Sequence, residues 1–425
     1  MQSAERSAYR QLPAWSPLSA AVLGRALVRA VTQRDPRRSL GQLLAERYAA
    51  DRVELFASGT QALQTALSIV RRTSDDVALL PAYTCYEVAT AAAGANIRVA
   101  LYDLDPATLR PDPASVRRAA QGKSVVALVA APLYGTDLDW SAMRDLAREL
   151  DTILIEDAAQ AIGSVYADRP VGSFGDLSIL SFGRGKGWTG MGGGALLMRG
   201  DGSAQAAARL RTAARTRAPG STSVLVKAAA QWLLARPRVY GLPASIPALR
   251  LGETVYHEPS VPRPMARLSA ALVLEADALS RGEATTRRRH ADEYRARLTA
   301  GSRLRGMVGA HSGTAAGMLR FPVLVAGGWA AARESGADRL GAGPPYPTTL
   351  DQLPALARLL ANPGAPHSGA DRIVRELVTL PTHSRTRPEE RTRLCAWLES
   401  GDRRFDAMLQ PRNSEVLADD AAEVT

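Results

Sequence analysis

Lysine is rare in this 425-residue chain, and one lysine stands in a setting that suits amine chemistry. The 53 basic residues comprise 50 arginines and only three lysines, Lys123, Lys186 and Lys227. Arginine stays protonated and cannot form a Schiff base, whereas a lysine with a lowered pKa can. Lys186 lies in a glycine-bearing loop between the apolar stretches 177–182 and 194–198. It is therefore the candidate for chemistry that requires an amine.

An acidic residue is expected at the same edge of a sheet as Lys186. Asp157 directly follows the apolar stretch 152–156, and open α/β sheets place their ligands at the carboxyl ends of the strands. Taken alone, Asp157 could equally be a helix N-cap. Together, a lysine and a carboxylate suit pyridoxal 5'-phosphate, because the lysine can hold the cofactor aldehyde as an imine while the carboxylate keeps the pyridine nitrogen protonated. We predict Lys186 and Asp157 as catalytic residues.

The phosphate of such a cofactor needs an anion site, and two parts of the sequence can supply one. Ser58, Gly59 and Thr60 follow the first predicted strand and open the first predicted helix. Free backbone N–H groups and the helix dipole favour a phosphate there, although Ser or Thr at a helix start is more often only a cap. Ser181 ends a later predicted strand and is either a second phosphate contact or an ordinary turn residue.

Other motifs fail in their context. Residues 185–190 match Gly-x-Gly-x-x-Gly, but they run into a predicted strand instead of opening a helix, so a dinucleotide fingerprint is rejected. The same loop lacks the Ser or Thr and the earlier glycine of a Walker A motif. Cys85 and Cys395 show no metal-ligand spacing, and the five histidines form no His-x-x-x-His pair. The sequence therefore predicts neither a metal site nor a nucleotide-triphosphate loop.

The composition is that of an ordinary globular protein. Hydrophobic residues make up 46% and charged residues 22% of the chain, and no apolar run approaches the ~18 residues of a membrane span. The net charge, 53 − 42 = +11, is spread over many segments and reflects a preference for arginine, so no nucleic-acid partner is predicted. The first residues lack the apolar core and cleavage site of a signal peptide, which predicts a cytoplasmic protein.

Short apolar stretches alternate with helical patterns over the first 200 residues, which is typical of an α/β fold with a mostly parallel sheet. The predicted strands are 52–56, 76–80, 98–102, 124–130, 152–156, 177–182 and 194–198. The predicted helices between them are 60–71, 86–95, 112–121 and 139–150.

The pattern changes after residue 200, and we predict two domains. The first covers 1–262 and holds an N-terminal segment, the large cofactor-binding domain and a Pro-rich insert at about 222–262. The second covers 263–425 and holds a linking helix and a small C-terminal domain. The tail after Arg412, which is acidic, is expected to be disordered. The further predicted elements are helices 203–216, 222–235, 265–299 and 386–399 and strands 317–325 and 376–380.

Taken together, these motifs resemble the DegT/DnrJ/EryC1/StrS family of pyridoxal-phosphate-dependent sugar aminotransferases. The resemblance runs from about Leu40 to Leu398. Its parts are FASGTQAL (56–63), PAYTC (81–85), LYGTDLDW (133–140), EDAAQAIGS (156–164), VGSFGDLSILSFGRGKG (171–187) and RIVRELVTLPTH (372–383). It implies fold type I: a large domain with a mostly parallel sheet sandwiched by helices, and a smaller C-terminal α+β domain.

The resemblance also implies roles for particular residues. Lys186 looks like the lysine that binds the cofactor aldehyde, Asp157 like the partner of the pyridine nitrogen, and Gln160 like a neighbour of the ring hydroxyl. Gly59, Thr60 and Ser181 look like the phosphate contacts. Family members are homodimers that move an amino group, usually from L-glutamate, to a keto-sugar on a nucleotide, in polysaccharide or secondary-metabolite biosynthesis.

The sequence departs from the family pattern at two places near the cofactor. Cys85 stands where an aromatic residue usually stacks on the cofactor ring, and Tyr86 beside it is a possible substitute. The segment 261–269, which normally reaches the phosphate of the partner subunit, has Pro262 at the asparagine position and Pro264 at the arginine position. Arg263 or Arg267 is a candidate to replace the lost charge.

Three functions follow as hypotheses. The first is an aminotransferase acting on a keto-sugar; the presence of Lys186 argues against the dehydratases of the family, which carry histidine there. The second is another pyridoxal-phosphate reaction, a lyase or a carbon-bond-forming enzyme, on a substrate that is not a sugar. The third is a non-catalytic regulatory protein on the same fold, which the combination of Lys186, Asp157 and Gln160 disfavours.

Overall fold

The central sheet consists of the seven strands predicted before residue 200. The computed structural model describes residues 9–200, 218–234, 236–237, 239–240, 254–298, 304–307 and 314–400. The strands up to residue 200 are β1 (Arg52–Phe56), β2 (Asp76–Pro81), β3 (Arg98–Tyr102), β4 (Ser124–Ala130), β5 (Ile153–Asp157), β6 (Val165–Tyr166), β7 (Arg169–Pro170), β8 (Leu177–Ser181) and β9 (Gly194–Met198). The sheet order is β1-β9-β8-β5-β4-β2-β3. Only β9 runs antiparallel to its neighbours in this sheet.

Helices flank this sheet on both faces. Every residue of β2, β8 and β9 is buried, and since successive side chains of a strand point to opposite faces, both faces must be covered. The helices are α1 (Ala20–Thr32), α2 (Pro36–Tyr48), α3 (Gly59–Val70), α4 (Tyr86–Ala95), α5 (Pro113–Ala120), α6 (Trp140–Glu149), α7 (Ser221–Leu234), α8 (Arg267–Arg297), α9 (Gly328–Glu334), α10 (Ser368–Glu376) and α11 (Pro388–Ser400). The predicted α/β fold of type I is confirmed.

The seven strands and four helices predicted before residue 200 agree with the structure to within one residue at each end, whereas the short strands β6 and β7 were not predicted. Caps explain the accuracy at helix starts. The Ser58 hydroxyl accepts the Gln61 N–H at 3.2 Å where α3 begins, and Asp139 accepts the Ala142 N–H at 3.0 Å where α6 begins. Each cap lies between a strand of the central sheet and the helix that follows it. The capping residue therefore marks where the connection ends and the helix begins.

Two helices before β1 were missing from the sequence prediction. α1 and α2 pack on the long helix α8, and ion pairs join them to it: Arg25 and Arg29 contact Glu275, and Arg47 contacts Asp277. Both helices begin with a side-chain cap, a local start signal that the prediction overlooked. The helix on which they pack lies more than 200 residues further along the chain.

A second, smaller core lies in the C-terminal part. β10 (Leu304–Met307), β12 (Arg320–Val325) and β13 (Leu377–Pro381) form an antiparallel sheet, while β11 (Thr314–Ala315) pairs with β6. α8 belongs to both cores, as expected for a linking helix, with 268–276 in the main core and 291–297 facing the smaller one. The domain division at 262/263 stays a prediction, because 346–377 also contribute to the main core.

Two predicted strands begin later than expected. The strand predicted at 317–325 begins at Arg320, because the Gly317 N–H donates to the Ser164 hydroxyl at 2.7 Å and the Met318 N–H to the Gly135 carbonyl at 3.0 Å. These two hydrogen bonds hold residues 317 and 318 against the large domain, so they do not pair with the strands of the small sheet. The strand predicted at 376–380 begins at Leu377, since α10 continues through Glu376.

Some predictions fall on residues that are not described. They are the helix at 203–216, positions 241–253 of the Pro-rich passage and the tail after Arg412. Within the insert, the helix predicted at 222–235 is α7, and 254–266 contain no helix. Among the described helices, none is both long and apolar enough to span a bilayer.

Candidate active site

The structure brings all seven predicted site residues together around one open cavity. The cavity has a volume of about 410 Å³, including its mouth. Its lining includes every residue predicted to bind the cofactor: Gly59, Thr60, Cys85, Asp157, Gln160, Ser181 and Lys186. Sequence reasoning missed four further lining residues, Leu63, Glu87, Val88 and Ala159. The cavity lies at the carboxyl ends of β1, β5 and β8, where an open α/β sheet is expected to bind its ligand.

Asp157 ends β5 with a carboxylate that has few protein partners. Its Oδ1 accepts the Ala159 N–H at 3.1 Å, the single hydrogen bond recorded for this carboxylate in the described chain. Burial raises the pKa of the Asp157 carboxyl, while the nearby Lys186 amine and the Ala159 N–H act in the opposite direction. An enclosed carboxylate in this state is stabilised by a positively charged N–H donor.

Lys186 lies in a loop at the edge of the sheet, and the glycines on both sides of it adopt positive φ angles. Gly185 and Gly187 have φ of +78° and +86°, values that strain residues with a side chain. A Cβ on Gly187 would lie 2.4 Å from Nη1 of Arg287, a buried residue of α8. The Gly187 N–H also donates to the Ser16 hydroxyl at 3.3 Å. Long-range packing on α8 and the N-terminal segment therefore fixes the lysine loop.

The start of α3 lies against Ser181, and these are the two parts of the predicted anion site. Ser58 caps the helix through the Gln61 N–H, which leaves the first-turn N–H groups of Gly59 and Thr60 facing the cavity end of the helix. Gly59 packs directly on Ser181: a Cβ at position 59 would lie 2.8 Å from the Ser181 Cβ and 3.1 Å from its Oγ. Only glycine lets the helix backbone approach the serine hydroxyl this closely.

Glu87 places a carboxylate beside this anion site. The Thr60 hydroxyl donates to Glu87 Oε2, and His257 Nδ1 lies 3.0 Å from Oε1. One feature of the sequence pointed to this residue: Glu87 is an acidic residue in the first turn of α4, the helix that begins after Cys85. Its negative charge opposes the binding of a phosphate next to Thr60.

Cys85, and not Tyr86, faces the cavity. Tyr86 is buried. Its hydroxyl contacts the Thr348 hydroxyl at 2.8 Å and accepts the Thr348 N–H at 2.9 Å, so the side chain is hydrogen-bonded to the C-terminal part of the chain. Burial raises the pKa of the Cys85 thiol. None of the described lining residues is aromatic.

Gln160 is held by two tyrosines. Its Oε1 accepts the Tyr134 N–H at 3.1 Å, and its Nε2 donates to the Tyr346 hydroxyl at 2.9 Å. Tyr346 was not singled out from the sequence, because it lies 186 positions away and no motif marks it.

The segment with Pro262 packs along the start of α3 in its own subunit. The Gln61 side chain contacts the Ser260 hydroxyl at 3.0 Å and accepts the Arg263 N–H at 3.0 Å. Of the two arginines considered as replacements for the lost phosphate contact, Arg267 donates to the carbonyls of Ala30, Gln33 and Arg34. Arg267 is therefore engaged in tying α8 to the end of α1.

The cavity fits pyridoxal phosphate. The enclosed Asp157 carboxylate suits a protonated ring nitrogen, and Lys186 supplies an amine on the same cavity wall. The close approach of Gly59 to Ser181 leaves a helix N-terminus and a hydroxyl for the phosphate. Glu87 is the one lining residue whose charge opposes this fit. No cluster of His, Cys, Asp and Glu side chains in the described ranges could hold a metal ion.

Comparison with known proteins agrees with the fold. The fold is that of fold-type-I pyridoxal-phosphate enzymes. The model of the DegT/DnrJ/EryC1/StrS aminotransferase family matches residues 30–399, and the chain belongs to this family, which is dependent on pyridoxal phosphate.

Relatives with known names match over part of their length. An L-glutamine:2-deoxy-scyllo-inosose aminotransferase of Micromonospora echinospora is 35% identical over 168 residues, 40% of this chain and 40% of that protein. A GDP-perosamine synthase of Vibrio cholerae is 31% identical over 126 residues, 30% of this chain and 34% of that protein. The matched region thus spans less than half of each relative.

Solved structures share the fold over nearly the whole chain. The aminotransferase TlmJ of Streptoalloteichus hindustanus has a TM-score of 0.70 at 20% identity, covering 94% of this chain and 100% of that one. A DegT DnrJ EryC1 StrS aminotransferase of Brucella abortus has a TM-score of 0.68 at 18% identity, covering 89% and 94%.

Proposed function

We propose that this protein is a pyridoxal-phosphate-dependent aminotransferase that moves an amino group from an amino acid, L-glutamate in the first instance, to a keto-sugar. The observation that carries the proposal is that Lys186, in the loop after β8, and Asp157, at the end of β5, line the same cavity. No other lysine of the chain lies in that cavity lining. Family membership supports the same reaction class.

Six of the lining residues have a role in this proposal. When bound, the cofactor withdraws electrons from the donor's Cα. Lys186 holds the cofactor aldehyde and, once the amino donor has displaced it, its free amine moves a proton at Cα. Asp157 keeps the ring nitrogen protonated, and Gln160 contacts the ring hydroxyl. Gly59, Thr60 and Ser181 hold the phosphate through backbone N–H and hydroxyl groups.

The substrates are proposed from the names of relatives. One relative is named for a cyclitol ketone with L-glutamine as donor, and another for the product GDP-perosamine. We propose a keto-sugar acceptor, nucleotide-linked as in the second relative, and a place in polysaccharide or secondary-metabolite biosynthesis. L-Glutamine is the donor to test beside L-glutamate.

The proposal includes a homodimer in the cytoplasm, as the family resemblance implies. Several exposed apolar side chains support a partner surface, among them Val31, Val226 and Trp232, which are 83%, 64% and 48% exposed. Sedimentation of the purified protein at several concentrations tests the homodimer: a single species of one-chain mass would contradict it.

The visible spectrum of the purified protein with pyridoxal phosphate tests the proposed reaction. We expect the wild type to show the absorption of a lysine-bound cofactor, and L-glutamate or L-glutamine to bleach it to the amine form. Lys186→Ala should show neither the band nor turnover. Lys227→Ala, at an exposed lysine of α7, is the matched control and should behave as the wild type. Turnover by Lys186→Ala, or bound cofactor that no amino donor converts, would overturn the proposal.

A further inference from the structure

The tyrosine that contacts the Gln160 amide nitrogen comes from the C-terminal part of the chain. We propose that Tyr346 is a positioning residue: it anchors the amide nitrogen of Gln160, whose orientation the Tyr134 N–H sets, so that the second amide N–H is directed at the bound cofactor. The inference rests on the proposed function, because it concerns how the same cavity treats the cofactor ring.

The orientation of the Gln160 amide follows from its partners. A backbone N–H can only donate, so the side-chain atom 3.1 Å from the Tyr134 nitrogen must be Oε1. The opposite end is then Nε2, which donates one N–H to the Tyr346 hydroxyl at 2.9 Å. The amide has a second N–H, and Gln160 lines the cavity. That N–H is the donor left for a ligand.

Tyr346 is itself held rigidly by two other tyrosines. Its N–H donates to the Tyr83 hydroxyl at 3.0 Å, and the Tyr83 and Tyr134 hydroxyls lie 2.8 Å apart. The Tyr346 ring lies 5.7 Å from the Tyr134 ring, nearly parallel, and 5.3 Å from the Tyr83 ring. All three side chains are buried, and burial raises the pKa of each phenol, so all three stay neutral over the working pH range.

The segment with Tyr346 joins the small sheet to the large one. The Gly343 N–H donates to the Thr379 carbonyl of β13 at 2.8 Å, and the Leu350 N–H donates to the Ala82 carbonyl after β2, also at 2.8 Å. Tyr346 lies between these two anchors. The orientation of Gln160 therefore depends on correct docking of the C-terminal part, although Gln160 itself lies just after β5.

The chemical consequence concerns proton affinity. An N–H that donates to the ring oxygen of the cofactor stabilises that oxygen in its ionised form. The oxygen then stabilises the neighbouring proton of the lysine-bound cofactor less, so the pKa of that proton is lowered. If Gln160 loses its anchor on Tyr346, the N–H is no longer directed at the ring oxygen, and the same pKa rises.

The test is a pH titration of the visible absorption of the lysine-bound cofactor in wild type and Tyr346→Phe. We expect the midpoint to rise by about one pH unit in Tyr346→Phe, the effect of one hydrogen bond to a charged group. Tyr102→Phe is the matched control: Tyr102 is also fully buried and donates to the Val129 carbonyl at 2.6 Å, away from the cavity. It should lose thermal stability to a similar extent without moving the midpoint.

A second background separates positioning from a direct effect of the phenol. In Gln160→Ala, the midpoint should already be raised, and adding Tyr346→Phe should move it no further. An additional shift in that background, or an unchanged midpoint in Tyr346→Phe, would overturn the proposal. If Tyr346→Phe does not fold, Tyr83→Phe removes the acceptor of the Tyr346 N–H and should shift the midpoint in the same direction; an unchanged midpoint there would overturn it as well.

The outcome is distinguishable from failure of the proposed function. Wild-type protein that shows no lysine-bound absorption at any pH contradicts the proposed function. A wild-type titration that proceeds normally, with the variants unchanged, contradicts only the positioning role of Tyr346.

Discussion

Glu156 and Asp157 are adjacent on β5, yet their carboxylates have opposite surroundings. Glu156 is fully buried and accepts four hydrogen bonds, from the N–H groups of Gly172, Phe174 and Gly175 and from the Ser178 hydroxyl. Asp157 accepts only the Ala159 N–H within the described chain and faces the cavity. Alternation along a strand sends the two side chains to opposite faces, so one acid organises the loop before β8 while its neighbour keeps capacity for a ligand.

Matched amide substitutions at these two acids should separate stability from activity. Glu156→Gln should lower the free energy of unfolding by about 2–3 kcal/mol, because an amide NH2 replaces an oxygen that accepts buried N–H groups. Asp157→Asn should change stability by less than about 1 kcal/mol but reduce amino transfer at least ~100-fold, since it removes the charge opposite the ring nitrogen. Thermal unfolding and amino-transfer assays of both variants check this; interchanged effects would contradict the assignment.

Gly59→Ala should weaken cofactor binding. The added Cβ would lie 2.8 Å from the Ser181 Cβ, so the serine and the first turn of α3 must move apart. We expect the affinity for pyridoxal phosphate to fall by about tenfold or more, the effect of losing one charge-assisted hydrogen bond. Gly41→Ala is the control: it also lies in a helix, a Cβ there meets nothing within 4 Å, and it should raise stability by about 0.5–1 kcal/mol. Equal cofactor affinity in the two variants would contradict the phosphate site.

Glu87→Gln should strengthen cofactor binding. The change keeps an oxygen to accept the Thr60 hydroxyl but removes a negative charge next to the proposed phosphate position. An affinity gain of about fivefold at low salt is expected, from ~1 kcal/mol of relieved repulsion, and it should shrink as salt is added. Glu389→Gln is the control. It removes one negative charge at an exposed glutamate of α11 outside the cavity lining and should leave the affinity for the cofactor unchanged. Weaker binding by Glu87→Gln would show that Glu87 helps to hold the cofactor.

Stability should fall on the acid side because of His383. This histidine is buried, its Nε2 donates to the Leu12 carbonyl at 2.8 Å, and burial lowers its pKa from 6.5 to about 3. Below pH 6.5 the unfolded chain binds a proton that the folded chain does not, so the free energy of unfolding decreases by up to about 1.4 kcal/mol per pH unit as the pH falls towards 3.

His383→Gln removes this contribution, because glutamine can donate to the Leu12 carbonyl without titrating. Denaturant unfolding between pH 6 and 4 should show a shallower pH dependence for His383→Gln than for the wild type. Identical slopes for His383→Gln and the wild type would contradict the prediction.

Local sequence was sufficient for much of the fold before residue 200. Buried strands such as β2 are continuous apolar runs, and Ser58 and Asp139 mark helix starts by chemistry that acts over three residues. α1 and α2 begin with caps of the same kind but were not predicted. What only the structure shows is that they pack on α8 and form ion pairs with it, such as Arg47 with Asp277, 230 positions apart.

The sequence by itself determined the chemistry proposed for this protein: a single lysine in a glycine loop, an acid after a strand and a helix start suited to phosphate. Those signals are local, because residue type and position at a strand end decide them. The tertiary structure decided what surrounds them. It placed Glu87 against Thr60, turned Tyr86 away so that Cys85 lines the cavity, and brought Tyr346 to Gln160. The contacts of Tyr86 and Gln160 join residues that are distant in the chain, and only the packing of the C-terminal part against the sheet brings them within hydrogen-bonding distance.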